Sequence, residues 1–235
     1  MRLRIKFSKT GTMKFIGHLD VMRYFQKALR RAGVDVAFSG GFSPHMKMSF
    51  ALPLGVGATS HGEYFDLDVN SCDSTSEILR KLNAQMVPEI RVLQVVSIPE
   101  DKASKGMTLV AAADYRVTFR DPNLLPEGWA SAIPEFLSRA EVTIKKQGKN
   151  GEREWDIRPL IYRMEPTENG LFLQLSAGSK DHLKPELAVD AFAAFLGRKL
   201  PDHALMICRE ELYANLGAEK SRDLRPLGEL GENIG

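Results

Sequence analysis

An α+β fold, two βαββαβ units in tandem on antiparallel sheets with added hairpins, is what this sequence predicts. Three observations carry that expectation. Segments alternating apolar and polar residues are interleaved with segments of helical spacing. Over residues 1–100 they come in the order β-α-β-β-α-β. A polar stretch at residues 100–106 is followed by a similar series.

Residues 2–8 place Leu3, Ile5 and Phe7 on one side and Arg2, Arg4, Lys6 and Ser8 on the other, the pattern of a half-buried strand. Leu19, Met22, Phe25, Leu29 and Ala32 then recur at helical spacing, with Asp20 in the first turn and Gly33 as the stop. Val34, Val36 and Phe38 alternate again. Residues 39–45 are a loop by their Gly and Pro content, and Met46, Met48 and Phe50 form the returning strand, so this part reads as a hairpin. Glu63 to Val69 alternates Phe65, Leu67 and Val69 with Asp66 and Asp68. Ser74 to Glu77 is a capping box leading into Ile78, Leu79, Leu82 and Met86. Residues 90–98 are rich in β-branched types and close the first domain, 1–100, as a split βαβ, ferredoxin-like unit.

The second half repeats the order of elements without repeating residues. Residues 114–120 read as a strand and 126–140 as a helix despite Pro134. Residues 141–147 and 152–157 flank the Gly148 to Gly151 turn as a hairpin, and 160–165 with 171–177 form another. Residues 185–196 are helical and 204–208 close the sheet. The expected second ferredoxin-like domain is 107–214. The polar, Gly-rich stretch 215–235 is expected to be a flexible tail.

Composition narrows the class. Hydrophobic residues are 43% and charged residues 26%, enough apolar material for a core and too much for disorder. The longest apolar runs, 109–113 and 191–196, fall far short of the roughly 18 residues of a spanning helix. Residues 1–7 alternate basic and apolar types where an export signal would need an apolar core. Cys72 and Cys208, the two cysteines, make neither a disulfide framework nor a metal cluster, and a cytoplasmic location is expected. Charge is uneven. Residues 1–60 hold ten Lys/Arg against two acids, and residues 61–101 hold three against eight. Either the first third presents a polyanion-binding surface, or the two stretches pair with each other.

The candidate binding residues follow from this pattern. Arg23, Lys27, Arg30 and Arg31 fall on one stripe of the first helix, opposite its apolar stripe, and suit a phosphate backbone. Gly40, Gly41, Phe42 and His45, with Lys47 just after, form a loop able to approach a nucleotide: glycines for backbone access, an aromatic ring for stacking, bases for phosphate. The bland alternative is a turn with Phe42 tucked into the core. His18 and Asp20 flank the start of the basic helix, after Lys14, where a helix N-terminus favours anions. His18, Asp20 and His45 are the candidates for acid/base chemistry, and Asp20 alone also fits a helix-dipole role. His61 joins no metal-ligand spacing, so no metal and no cofactor are expected. Arg158, before Pro159, is either an anion contact or a structural lock. No phosphate-loop, dinucleotide or nucleophile-elbow motif is present, and two cysteines cannot hold a radical SAM cluster.

The segments Lys14 to Arg23, Ala28 to Gly33, Gly40 to Ala51, Leu54-Gly55, Glu63-Tyr64 and Asp156 to Ile161 together resemble the bacterial radical SAM-linked protein family, a domain of unknown function. The resemblance extends to about residue 214. Met46 and Lys47 stand where its pattern leads one to expect a proline and a basic residue. Members look like C-terminal extensions of radical SAM proteins or separate chains encoded beside one, often near genes for an E/G-type ribonuclease and ribosomal proteins. The resemblance implies a radical SAM partner and points to RNA, and supplies no catalytic residue.

The leading expectation is therefore an RNA-binding accessory protein presenting transfer or ribosomal RNA, not DNA, to a radical SAM enzyme, without catalysis of its own and without a membrane role. One alternative is a metal-independent RNA-processing or RNA-modifying enzyme, by analogy with CRISPR-type endoribonucleases of tandem ferredoxin-like architecture. Another is a protein–protein adaptor that binds no RNA.

Overall fold

The computed structural model describes residues 1–148, 151–218 and 221–235. In chain order its elements are β1 (Arg2–Lys9), α1 (His18–Arg31), β2 (Met48–Phe50), β3 (Thr59–Asp68), α2 (Thr75–Asn83), β4 (Ile90–Ile98), the single turn α3 (Gly106–Leu109), β5 (Val110–Phe119), α4 (Ile133–Ser138), β6 (Thr143–Gly148), β7 (Gly151–Asp156), β8 (Ile161–Thr167), β9 (Gly170–Ser176), α5 (Pro185–Phe195), β10 (Leu205–Asn215) and β11 (Leu224–Pro226). The fold is mixed α+β, and the β-α-β-β-α-β order expected for residues 1–100 is the order observed.

The chain divides into two units, residues 1–112 with 209–235, and residues 113–208. The expected boundaries of 1–100 and 107–214 are thereby moved. The division falls inside β5 and inside β10, where a sequence search for polar linkers has nothing to find.

In the first unit β1 lies between β4 and β3, antiparallel to both, and β2 pairs with β3 beyond. One sheet face carries Leu3, Ile5 and Phe7 and packs under α1 and α2. α1 buries Val21, Phe25, Ala28 and Leu29, each large apolar side chain contributing about 1.5–3 kcal/mol. Phe25 meets Phe7 at 4.6 Å and Phe65 at 4.7 Å, ring centre to ring centre. α2 starts at Ser74, whose side chain accepts from the Glu77 N–H, as the capping box predicts.

The other face of β1 is not solvated, contrary to the half-buried strand expected there. Arg4 is 1% exposed. Its guanidinium donates to both Asp66 oxygens at 2.8 and 3.2 Å, to the Ser104 carbonyl at 2.6 Å and to the Leu227 carbonyl at 3.2 Å. Register puts Arg2 opposite Asp68 and Arg4 opposite Asp66. Arg2 Nε bonds Asp68 at 2.8 Å, and Lys6 reaches Glu211 at 2.5 Å. The burial comes from segments remote in sequence, 100–106 and 224–232.

The flexible tail expected over 215–235 is corrected accordingly. β11 pairs with β10, Leu227 is fully buried, Ser97 and Glu232 exchange both backbone hydrogen bonds, and Thr75 N–H donates to the Ile234 carbonyl. Leu227 supplies the apolar anchor and the edge of β4 supplies the backbone partners. Residues 219–220 of that stretch lie outside the described residues.

Two other expectations differ in extent. Residues 34–38 make only isolated bridges, Val36 to Val69 and Phe38 to Met46, rather than a strand. β10 runs past the expected end at 208, through the charged residues Arg209, Glu210 and Glu211. Gly62 explains its close approach: a Cβ there would lie 2.4 Å from the Glu210 carbonyl oxygen.

In the second unit β9 lies between β5 and β8, with β6 and β7 as a separate hairpin. Both hairpins were expected, although the tip of the first, residues 149–150, lies outside the described residues. The helix expected over 126–140 is instead a 3-10 turn followed by α4, with Pro134 in the first turn of α4 where its missing N–H leaves no bond unmade. Phe136 packs on Phe192 of α5 at 5.2 Å, and Trp129 on Phe119 at 5.7 Å.

Arg4→Met leaves the Asp66 carboxylate buried without its counter-charge, and the expected loss is about 3–5 kcal/mol in urea unfolding. Lys27→Met, on an exposed helix face, is expected to change the same measurement by no more than about 0.5 kcal/mol.

Candidate nucleic-acid interface

α1 is amphipathic because its apolar residues recur every three to four positions, so its bases share the opposite face. Arg23, Lys27, Arg30 and Arg31 are all exposed. Arg23 bonds Asp20 at 3.3 Å, both side chains being more than half exposed, and Arg31 donates to the Gln85 carbonyl at 2.9 Å. Among the described residues, Lys27 and Arg30 have no ion-pair partner. The charge imbalance therefore separates into two populations. Arg2, Arg4 and Lys6 pair with acids of their own unit, while the α1 bases face solvent.

The Gly40 to His45 loop is a tight hairpin tip. Phe38 bridges Met46, Ser39 N–H donates to the His45 carbonyl at 2.9 Å, and the Ser39 hydroxyl lies 2.8 Å from His45 Nδ1. Gly41, at φ +97°, makes the reversal. Phe42 is fully exposed, at 111% of its reference area, so it is not tucked into the core. Gly40, His45 and Lys47 are exposed on the same hairpin.

His18 and Asp20 part company. Asp20 faces solvent beside Arg23, whereas the His18 ring stands edge-on to Phe50 at 4.8 Å and lines a recess. Phe7, Lys9, Val21, Phe50, Pro53, Leu54 and Glu63 complete its wall. Lys14 lies over the exposed Phe15 ring at 5.1 Å.

Lys9 was not among the sequence candidates. It is 2% exposed, and among the described residues its Nζ has one hydrogen-bond contact, to the Ile16 carbonyl at 3.5 Å. Burial lowers its pKa below the usual lysine range; nearby Glu63 opposes that shift and Arg209 adds to it. Glu63 is held by Arg209 at 2.8 and 2.5 Å. In sequence Lys9 is the last residue of a strand with three other bases. Its position two residues after Phe7 puts it on the face of Leu3, Ile5 and Phe7, the side that packs under α1.

Arg158 belongs to the second unit. Its Nε donates to the Leu137 carbonyl at 2.7 Å and its Nη1 to the Ile161 carbonyl at 2.9 Å, the contacts of a structural lock.

The model of a family described as an uncharacterized protein conserved in bacteria (DUF2344) matches residues 2–185. The chain belongs to that family. The DUF2344 match takes in α1, the Phe42 hairpin, the recess residues and Arg158, and ends before Arg209. No curated protein matches the chain. One solved structure similar to it is described as the crystal structure of a Cbf5-Nop10-Gar1 complex, at 12% identity and a TM-score of 0.47. That similarity covers 89% of this chain and 48% of the other, so the chain spans about half the length of its structural neighbour. No helix among the described residues is long and apolar enough to cross a membrane.

Arg158→Ala leaves two carbonyls without their donor and is expected to lower stability by about 1–3 kcal/mol in chemical denaturation. Phe42→Ala, with nothing packed on the ring, is expected to shift the same transition by no more than about 0.5 kcal/mol.

Proposed function

We propose that this DUF2344 chain is a cytoplasmic RNA-binding accessory protein that presents transfer or ribosomal RNA to a separate radical SAM enzyme. The observation that carries the RNA part is the α1 face, where Arg23, Lys27, Arg30 and Arg31 stand exposed while Arg2, Arg4 and Lys6 of β1 are paired within the unit. Such a stripe neutralises successive phosphates and releases their counterions. Phe42, on a hairpin tip braced by Ser39 and His45, offers a ring to an unstacked base, with His45 and Lys47 alongside for phosphate. The radical SAM partner rests on the family resemblance and on a chain that has two cysteines where a cluster needs three. The β4-β1-β3-β2 order of the first unit supports a ferredoxin-like arrangement there, and we extend that reading to the second.

Exposed Phe15, Phe38, Phe42 and Val56 favour a second reading, an adaptor that docks its partner through apolar contacts without RNA. RNA binding by the full chain across a salt series separates the two. Arg30→Glu with Arg31→Glu is expected to weaken binding by about tenfold or more and to flatten the slope of log affinity against log salt by roughly 1.5–2. Unchanged affinity and slope would overturn the RNA reading in favour of the adaptor. RNA recovered with the chain from its host would then name the substrate.

A further inference from the structure

The recess beside α1 has an electrostatic imbalance that the RNA reading does not use. The Lys9 ammonium is nine-tenths buried or more and lies against the Ile16 carbonyl, immediately before the start of α1. An ammonium has three protons to donate, and here one long contact of 3.5 Å accepts from it. The start of a 14-residue helix is itself electropositive, and Gly17 at its cap brings no side chain to its open N–H groups. Arg209 adds a further positive charge. The single acid in the wall, Glu63, is held by Arg209 through both oxygens, and no carboxylate among the described residues lies within ion-pair distance of Lys9. Positive charges thus exceed negative ones by one in a place from which water is largely excluded. Fold stability alone gives no reason for that excess. Burial lowers the pKa of Lys9, the sign of an ammonium taken out of water.

The rim has a different character. Phe15, Leu19 and Val56 are exposed at 65%, 59% and 65% on the two segments that also supply His18, Pro53 and Leu54 to the wall. The Gly57 N–H donates to the Lys14 carbonyl at 2.8 Å and ties those segments together.

We propose that the recess is a phosphomonoester site: a phosphate seats at its mouth between Lys9 Nζ, the His18 ring and the first-turn N–H groups of α1, and the nucleoside it carries lies on the apolar rim. The missing negative charge is supplied by the ligand. The site stands apart from the phosphate-backbone stripe, since Arg23, Lys27, Arg30 and Arg31 take no part in the recess wall.

Calorimetric titration of the full chain with inorganic phosphate, and separately with adenosine 5′-monophosphate, tests this. Saturable one-site binding is expected, tighter for the nucleotide. It should weaken by about tenfold or more in Lys9→Met, because the charge-assisted contact is lost. Arg30→Glu with Arg31→Glu should leave it within about twofold, because that stripe is separate. Short RNAs with a 5′-phosphate or a 5′-hydroxyl distinguish the sources. A 5′-phosphate preference that disappears in Lys9→Met assigns the site to an RNA end, and binding of the mononucleotide alone assigns it to a free nucleotide. Should Lys9→Met lose its cooperative unfolding transition, His18→Ala takes its place, with binding expected to weaken about threefold or more. The proposal is overturned if neither phosphate, nucleotide nor 5′-phosphorylated RNA saturates the protein, or if the folded variant binds as tightly as the natural chain.

Discussion

The buried pair of Arg4 and Asp66 organises the first unit. A charged pair 1% and 3% exposed survives only if every remaining donor and acceptor finds a partner. Here the partners come from far along the chain: the Ser104 and Leu227 carbonyls accept from Arg4, and the Gly106 N–H donates to Asp66 at 2.6 Å. The pair therefore fixes β1 to β3 in register and also closes the segments 100–106 and 224–230 over the sheet. Arg2 with Asp68 and Lys6 with Glu211 continue the same row on either side.

That row has a consequence for the opposite face. Because the polar side of β1 is covered by loops, α1 and α2 take the apolar side alone, and α1 needs only one stripe of its surface for the core. Its other stripe is left to carry charge. Bases that look equivalent in composition thus acquire opposite roles. Arg4 is a buried structural cation, and Arg30 is an exposed one with no ion-pair partner among the described residues.

Lys9 is the exception to both roles. It is buried like Arg4, yet among the described residues it has no carboxylate within ion-pair distance, since Arg209 on β10 holds Glu63. The irregularity at the end of β1 and the start of α1 converge there, and the His18 ring closes over the same spot. Tyr64 shows the contrasting arrangement: its hydroxyl donates to Glu211 at 2.7 Å, and burial together with that carboxylate raises its pKa, so it stays a neutral donor within the polar row.

The local elements were legible in the sequence because their signals are local. The two stripes of α1, the capping box at Ser74, the 161–167 and 170–176 hairpin and the Gly40 to His45 loop each follow from spacings of a few residues, whereas the exposure of Phe42 does not. The recess was not legible, since Lys9, His18 and Glu63 come from separate elements and only the tertiary fold assembles them. By itself the sequence determined which stretches are amphipathic and along which face. Tertiary structure alone decided which charges lie under the 224–232 segment and which face water. Burial of a charge depends on what remote chain covers it, and periodicity carries no information about that.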